Sequence, residues 1–201
     1  MLDLKGMLLG PMSNLRHVIR FGTCFRLHQE SVAEHSFFTA FYAMMVAKAM
    51  EMPSDAVGRI VRKALLHDME EAITNDFPRP FKYSGDGIRE ALTKASHIAA
   101  FDMARSLIPG NDARSSAERS LLFQDWHGAK EGEEGVVLEF ADFLSALSYV
   151  ANEVRNGNTA IKPYCVDMKA HKTRFDNPKY KAIPKSMIDE MHNIAAEVFR
   201  E

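Results

Sequence analysis

An all-α fold is predicted by three features of the sequence. Residues 36–50, SFFTAFYAMMVAKAM, are apolar almost all the way round, as in a helix at the centre of a bundle. A capping box, Ser31-Val32-Ala33-Glu34, stands directly ahead of that run and marks its start near Ser31. Beyond it, apolar residues recur at helical spacing in segment after segment, and no two segments read as paired strands. Pro53-Ser54 opens the next helix, with Val57, Ile60, Val61, Ala64 and Leu65 on one stripe. Residues 87–108 read as a long helix ended by Pro109-Gly110, and 113–124 as a shorter one. Residues 134–155 form another, ended by Asn156-Gly157, and a last helix covers about 185–200. The run Val136-Val137-Leu138 has strand character, but it continues into Phe140, Leu144, Leu147 and Val150 at helical spacing. Gly85-Asp86-Gly87, Gly110-Asn111-Asp112 and Gly132 to Gly135 read as loops, none long enough to link two domains.

The chain has 201 residues, close to one ordinary domain, and is expected to fold as a single unit. Its composition, 46% hydrophobic and 26% charged, is that of a globular protein and excludes a disordered tail or a disulfide scaffold. A formal net charge of −2 lacks the cation excess that drives polynucleotide binding, so the expected anion is a small molecule. Cys24 and Cys165 match no metal or redox spacing and are expected to be free thiols of a reducing compartment. No apolar run approaches a membrane span and Met1 to Met12 do not read as a leader, so a cytoplasmic protein with no membrane partner is expected.

Chemistry first shows where polar groups fall on apolar faces. The stripe of the Ser54 helix, continued past Leu65, reaches Asp68, with His67 at its edge. A carboxylate in a low-dielectric interior either takes up a proton or finds a cation. The plainer alternative ends the helix at Leu66 and lets His67-Asp68 enter solvent. His35 sits one turn inside the most apolar helix, where an imidazole needs a partner. Asp142 lies in a burial-prone segment among Leu138, Ser145, Ala146 and Tyr149. Two imidazoles and two carboxylates suit a divalent Mn, Co, Fe or Zn ion better than Ca²⁺ or a thiolate-selecting ion, with Mg²⁺ a further candidate.

The order His35, His67-Asp68, Asp142 resembles that of the HD-domain phosphohydrolases, helical metal-dependent enzymes. Longer strings are similar to the YfbR-like bacterial 5′-deoxynucleotidases: Arg20-Phe21, Glu30 to Ser36, Leu66 to Glu71, Thr74 to Tyr83 and Ala141-Asp142. The likeness runs from about residue 14 to residue 158; the C-terminal fifth carries no recognised motif. It implies hydrolysis of the 5′-phosphoester of a deoxynucleoside monophosphate. It further implies His35, His67, Asp68 and Asp142 as metal ligands, and Glu71 and Asp76 as the acid/base pair. Arg20 and Lys82 match cations near the phosphate, and Phe21 stands where the family has a tryptophan against the nucleoside. Phage dATP triphosphohydrolases share the fold. Arg79, where a threonine is usual, either suits their longer anionic tail or is a solvated residue between two prolines. The resemblance also implies a bacterial or phage-infected host cell and a homo-oligomer, dimeric or higher. A binding-only module on this fold would be expected to lack a ligand or an acid, and this chain keeps them all.

Overall fold

The computed structural model describes residues 3–165 and 174–198. Among them the chain is helical, with one isolated bridge, Ile19 to Ser31, and no strand. A short α1 (Leu4–Leu9), which the sequence reading passed over, and a 3-10 turn at Pro11–Arg16 lead into an irregular segment over 17–31. Three long helices then form the frame: α2 (Val32–Ala49), α3 (Ser54–Leu66) and, later in the chain, α8 (Gly132–Arg155). Two single turns, α4 (Glu71–Thr74) and α5 (Arg79–Lys82), follow α3. Next come α6 (Asp86–Leu107) and α7 (Ala113–His127), and the described chain closes with α9 (Lys185–Val198).

Each start has a local cause. The Ser31 side chain accepts from the Glu34 amide while Glu34 reaches back to the Ser31 amide, so the capping box forms and fixes where α2 begins. Asp112 caps α7 by accepting from the Ser115 amide. Two expected loops are instead helical. Asp86-Gly87 opens α6, where an acid in the first turn meets the free N–H groups, and Gly132 to Gly135 is the first turn of α8. Gly135 is needed there because a Cβ would collide with the backbone of Lys130. The α7 helix runs three residues past the expected 124, and the part of the last helix beyond Val198 lies outside the described residues.

α2 packs against both α3 and α8, which accounts for its apolar residues on two sides but not all round. The main core joins Ala43, Val46 and Ala47 of α2, Ile60 and Ala64 of α3, Val137, Leu138, Phe140 and Ala141 of α8, and Phe175, Tyr180 and Ile188 near the C-terminus. A second cluster, around Val32, Met69, Met103 and Trp126, lies beneath α4 and α6. Small side chains on α2 let its neighbours approach closely, and the start of α2, the end of α3 and the middle of α8 meet at one place.

Not all of α2 is covered. Phe37, Phe41 and Met45 are exposed at 62%, 45% and 47%, one turn apart on one face. No helix among the described residues is long and apolar enough to cross a membrane.

Candidate active site

α3 ends at Leu66, as the plainer sequence alternative has it, but His67 and Asp68 turn inward rather than into solvent. The His67 side chain is fully buried, and its Nδ1–H donates to the Ala64 carbonyl at 2.7 Å. That bond settles the tautomer of the neutral ring, because only a protonated nitrogen can face a carbonyl. Nε2 is then bare, has no hydrogen-bond partner, and lies 3.0 Å from Asp68 Oδ2. Lone pair faces lone pair across that gap. A cation between them removes the conflict, and a second proton on the ring is the alternative; the neighbouring Asp68 and Asp142 carboxylates do raise the His67 pKa against the opposing effect of burial.

His35, one turn into α2, is wholly buried, and its ring lies 5.4 Å from that of His67. Its Nε2 is 3.1 Å from Asp142 Oδ1 and 3.7 Å from Asp68 Oδ2. One donor atom each from His35, His67 and Asp68 fall within 4.8 Å of one another, a spacing that one ion can bridge. Burial and the Arg20 charge push the His35 pKa down to about 4, so the ring is neutral and available as a ligand at neutral pH. Asp68 stays ionised despite burial because His67, Lys130 and His35 surround it. Asp142 lies at the edge of this group and splits its oxygens, one toward His35 and the other 3.0 Å from Lys130 Nζ. Burial works against its charge, but Lys130 and then His35 hold its carboxyl well below the ordinary range.

Beside the ligand group runs a chain of alternating charge. Lys82 Nζ, on α5, lies 3.2 Å from Glu71 Oε1 and 3.4 Å from Asp76 Oδ1. Burial and the charges of Asp68 and Asp76 raise Glu71 to about 9, so it holds a proton at neutral pH. Asp76 is raised by burial as well, with Lys82 and Arg20 opposing. Between the two acids the chain turns through Asn75 at φ 70° and ψ 163°, a strained backbone conformation outside the left-handed helical well. A cavity of about 600 Å³ opens here, lined by His67, Asp68, Glu71, Lys82, Arg89 and Trp126 among others.

Arg20 reaches the same centre from the irregular N-terminal segment. Its Nη1 donates to Glu30 Oε2 at 2.7 Å and meets His35 Nδ1 at 2.8 Å. Phe21 beside it adopts φ 55°, an unusual state for a bulky residue, and is held there by a stack on Tyr149 with centroids 5.0 Å apart. The segment is tied to α8 by Glu153, a buried carboxylate that accepts from the amides of Leu27 and His28 and from Asn158. Arg79 is exposed, with its guanidinium 5.4 Å from the centroid of the Tyr83 ring.

Sequence reasoning overlooked several groups here. Lys130 and Ser145 both touch candidate ligands, and Glu70 accepts from Trp126 Nε1 at 2.6 Å on the cavity wall. None belongs to a local motif; the adjacent acids Glu70-Glu71 were the one visible hint. His97 is half-buried and lines the cavity, and so does the exposed His127. His17 is exposed, and His28 is a surface partner of Glu153. Cys24 is a free thiol, whereas the Cys165 side chain lies outside the described residues.

The family model described as 5′-deoxynucleotidase YfbR-like matches residues 8–199. The match takes in the C-terminal fifth, which the sequence reading left unplaced. A 5′-deoxynucleotidase of Erwinia tasmaniensis is 30% identical over 154 residues, covering 73% of each chain. One from Pectobacterium atrosepticum is 28% identical over 150 residues, covering 73% of this chain and 72% of its own. Among solved structures, a cyanophage S-2L HD phosphohydrolase bound to dA and one catalytic Zn²⁺ ion superposes with a TM-score of 0.62 at 18% identity, covering 94% of both chains. An HD-domain phosphohydrolase from Listeria innocua gives 0.60 at 19% identity, covering 96% of both. The chain therefore belongs to the YfbR-like 5′-deoxynucleotidase family, and its fold is that of the HD-domain phosphohydrolases.

Proposed function

We propose that the protein hydrolyses the 5′-phosphoester of deoxynucleoside monophosphates, giving deoxynucleoside and phosphate, with one divalent ion held by His35, His67, Asp68 and Asp142. The observation that carries this reading is the unpartnered Nε2 of His67 facing Asp68 beside a Glu71–Lys82–Asp76 chain. Two imidazoles with carboxylates fit Zn, Mn, Co or Fe, with Mg²⁺ a weaker fit, and the zinc of the cyanophage relative favours the first. A bound ion of this kind supplies Lewis acidity toward a phosphate oxygen and makes water more acidic.

The side chains do the rest. Arg20 and Lys82 offset charge on the phosphate oxygens. Water attacks phosphorus as the bond to the 5′-oxygen breaks; Asp76 takes the proton from the water, and Glu71, which already holds one, gives it to the leaving oxygen. Phe21, stacked on Tyr149, offers a flat apolar surface to the nucleoside. Relatives named 5′-deoxynucleotidases favour the monophosphate over the triphosphate. Arg79, stacked toward Tyr83 on the outside, is proposed to serve a substrate only if that substrate carries a longer phosphate tail.

The free thiol of Cys24 supports a cytoplasmic, reducing location for a protein acting as one domain on a small nucleotide. The exposed Phe37, Phe41 and Met45 face supports assembly into a homo-oligomer. The reading is tested by incubating the protein with dAMP and with dATP in the presence of Mn²⁺, Co²⁺ or Zn²⁺. Orthophosphate from dAMP is the expected product. Tripolyphosphate from dATP with inert dAMP replaces the monophosphate by the triphosphate reading, and no product from either reduces the protein to a binding module.

A further inference from the structure

Nδ1 of His35 lies 2.8 Å from Arg20 Nη1 and 2.9 Å from Ser145 Oγ; the first neighbour fits only a bare nitrogen, whereas the second can also accept from a protonated one. A guanidinium only donates, so a bond from Arg20 needs Nδ1 bare. A hydroxyl also accepts, and Ser145 can take a proton donated by Nδ1–H while its own O–H points to the His35 carbonyl at 3.4 Å. The neutral ring carries one proton. With Nδ1 bare the proton is on Nε2 and faces Asp142 Oδ1 at 3.1 Å. A ligand to a cation through Nε2 must instead be bare there and protonated at Nδ1.

Arg20 docking and metal ligation by His35 thus belong to different tautomers. Both hydrogens of Arg20 Nη1 are engaged in the docked state, one on Glu30 and one on His35, so this nitrogen has none left for a phosphate oxygen. We propose that Ser145 is the positioning residue that holds His35 in its metal-binding tautomer, and that loading of the cation releases an Arg20 N–H from His35 toward the phosphate. The ring loses a proton at Nε2 and gains one at Nδ1, exchanged through solvent, so its charge is unchanged. Glu30 keeps its bond to Arg20 throughout and prevents the guanidinium from leaving the site. A metal-free centre is thereby kept with its arginine engaged elsewhere, and metal and phosphate binding reinforce each other.

The inference rests on the assignment of His35 as a ligand, and the test separates the two. Metal-free protein is titrated with Zn²⁺ against a chelator of known affinity, and the His35 ring nitrogens are followed by long-range proton–nitrogen NMR. Wild type is expected to show Nε2–H without zinc and Nδ1–H with it. Arg20→Ala is expected to shift the metal-free ring toward Nδ1–H and to bind Zn²⁺ about 10-fold more tightly. The double variant Arg20→Ala/Glu30→Gln does the same without an unpaired carboxylate. Ser145→Ala is expected to weaken Zn²⁺ binding by roughly 10- to 100-fold. Unchanged or weaker zinc affinity in both arginine variants, with zinc still bound through His35, overturns the proposal and leaves the ligand assignment standing. If His35→Ala binds Zn²⁺ as tightly as wild type, the assignment falls and the proposal with it.

Discussion

The two halves of α2 are built for different surroundings. Its first turns bury His35, Ser36 and Thr39; its later turns bury Ala40, Ala43, Val46 and Ala47. The later half meets Ile60, Ala64, Val137 and Leu138, and its stability comes from apolar surface removed from water. The first half meets Asp68, Asp142, Arg20 and Ser145, where each buried charge costs free energy unless a partner offsets it. One continuous helix therefore joins a region that holds the fold together to a region that the fold must hold together. Mutations at the two ends should separate these roles.

The sharpest separation is expected from Asp68→Ala, which should abolish zinc retention and lower phosphate release by more than about 10³-fold. The same variant, metal-free, should melt within about 3 °C of metal-free wild type, as calorimetry would show. Glu71→Gln is expected to lower kcat by roughly 10² to 10⁴-fold while leaving zinc affinity intact, measured by steady-state kinetics beside a chelator competition. At the apolar end, Ile60→Ala should cost about 3 kcal/mol in a urea titration and leave kcat at low temperature unaltered.

Glu153 sits between the two regimes, and Glu153→Gln should cost about 1–2 kcal/mol. Bonds from Leu27, Asn158 and His28 hold its pKa below the ordinary 4.5 although burial pulls the other way. Its contribution is therefore fully present above the unfolded value and is lost as pH falls through the lower folded one. Acid unfolding of Glu153→Gln should accordingly depend less steeply on pH below about 4.5 than that of wild type. The smallest effect is expected from Ser31→Ala, about 1 kcal/mol from the lost cap, visible as a shift in melting temperature.

What the sequence disclosed follows the same division. The apolar frame was legible because a helix buried on several sides has no alternative pattern, and the capping box placed its start to the residue. Glycine misled at 86–87 and 132–135: it was read as loop chemistry, whereas at Gly135 its lack of a side chain serves close packing. The inward turn of His67 and Asp68 depended on a stripe running beyond its own helix, which left two readings open, and each supplied half of the answer. Lys130, Ser145 and Glu70 could not be found locally. They meet partners 12, 110 and 56 positions away, and only the crossing of helices makes them neighbours.

The missing methyl of Gly135 governs a distance elsewhere in the molecule. The turn before α8 lies flush against that bare backbone, and the same turn carries the ammonium that competes for one oxygen of Asp142. A single added carbon would lift the turn like a shim under a hinge. Asp142 would then be free to give both oxygens to an ion, at the expense of the tight seam on which the helix begins.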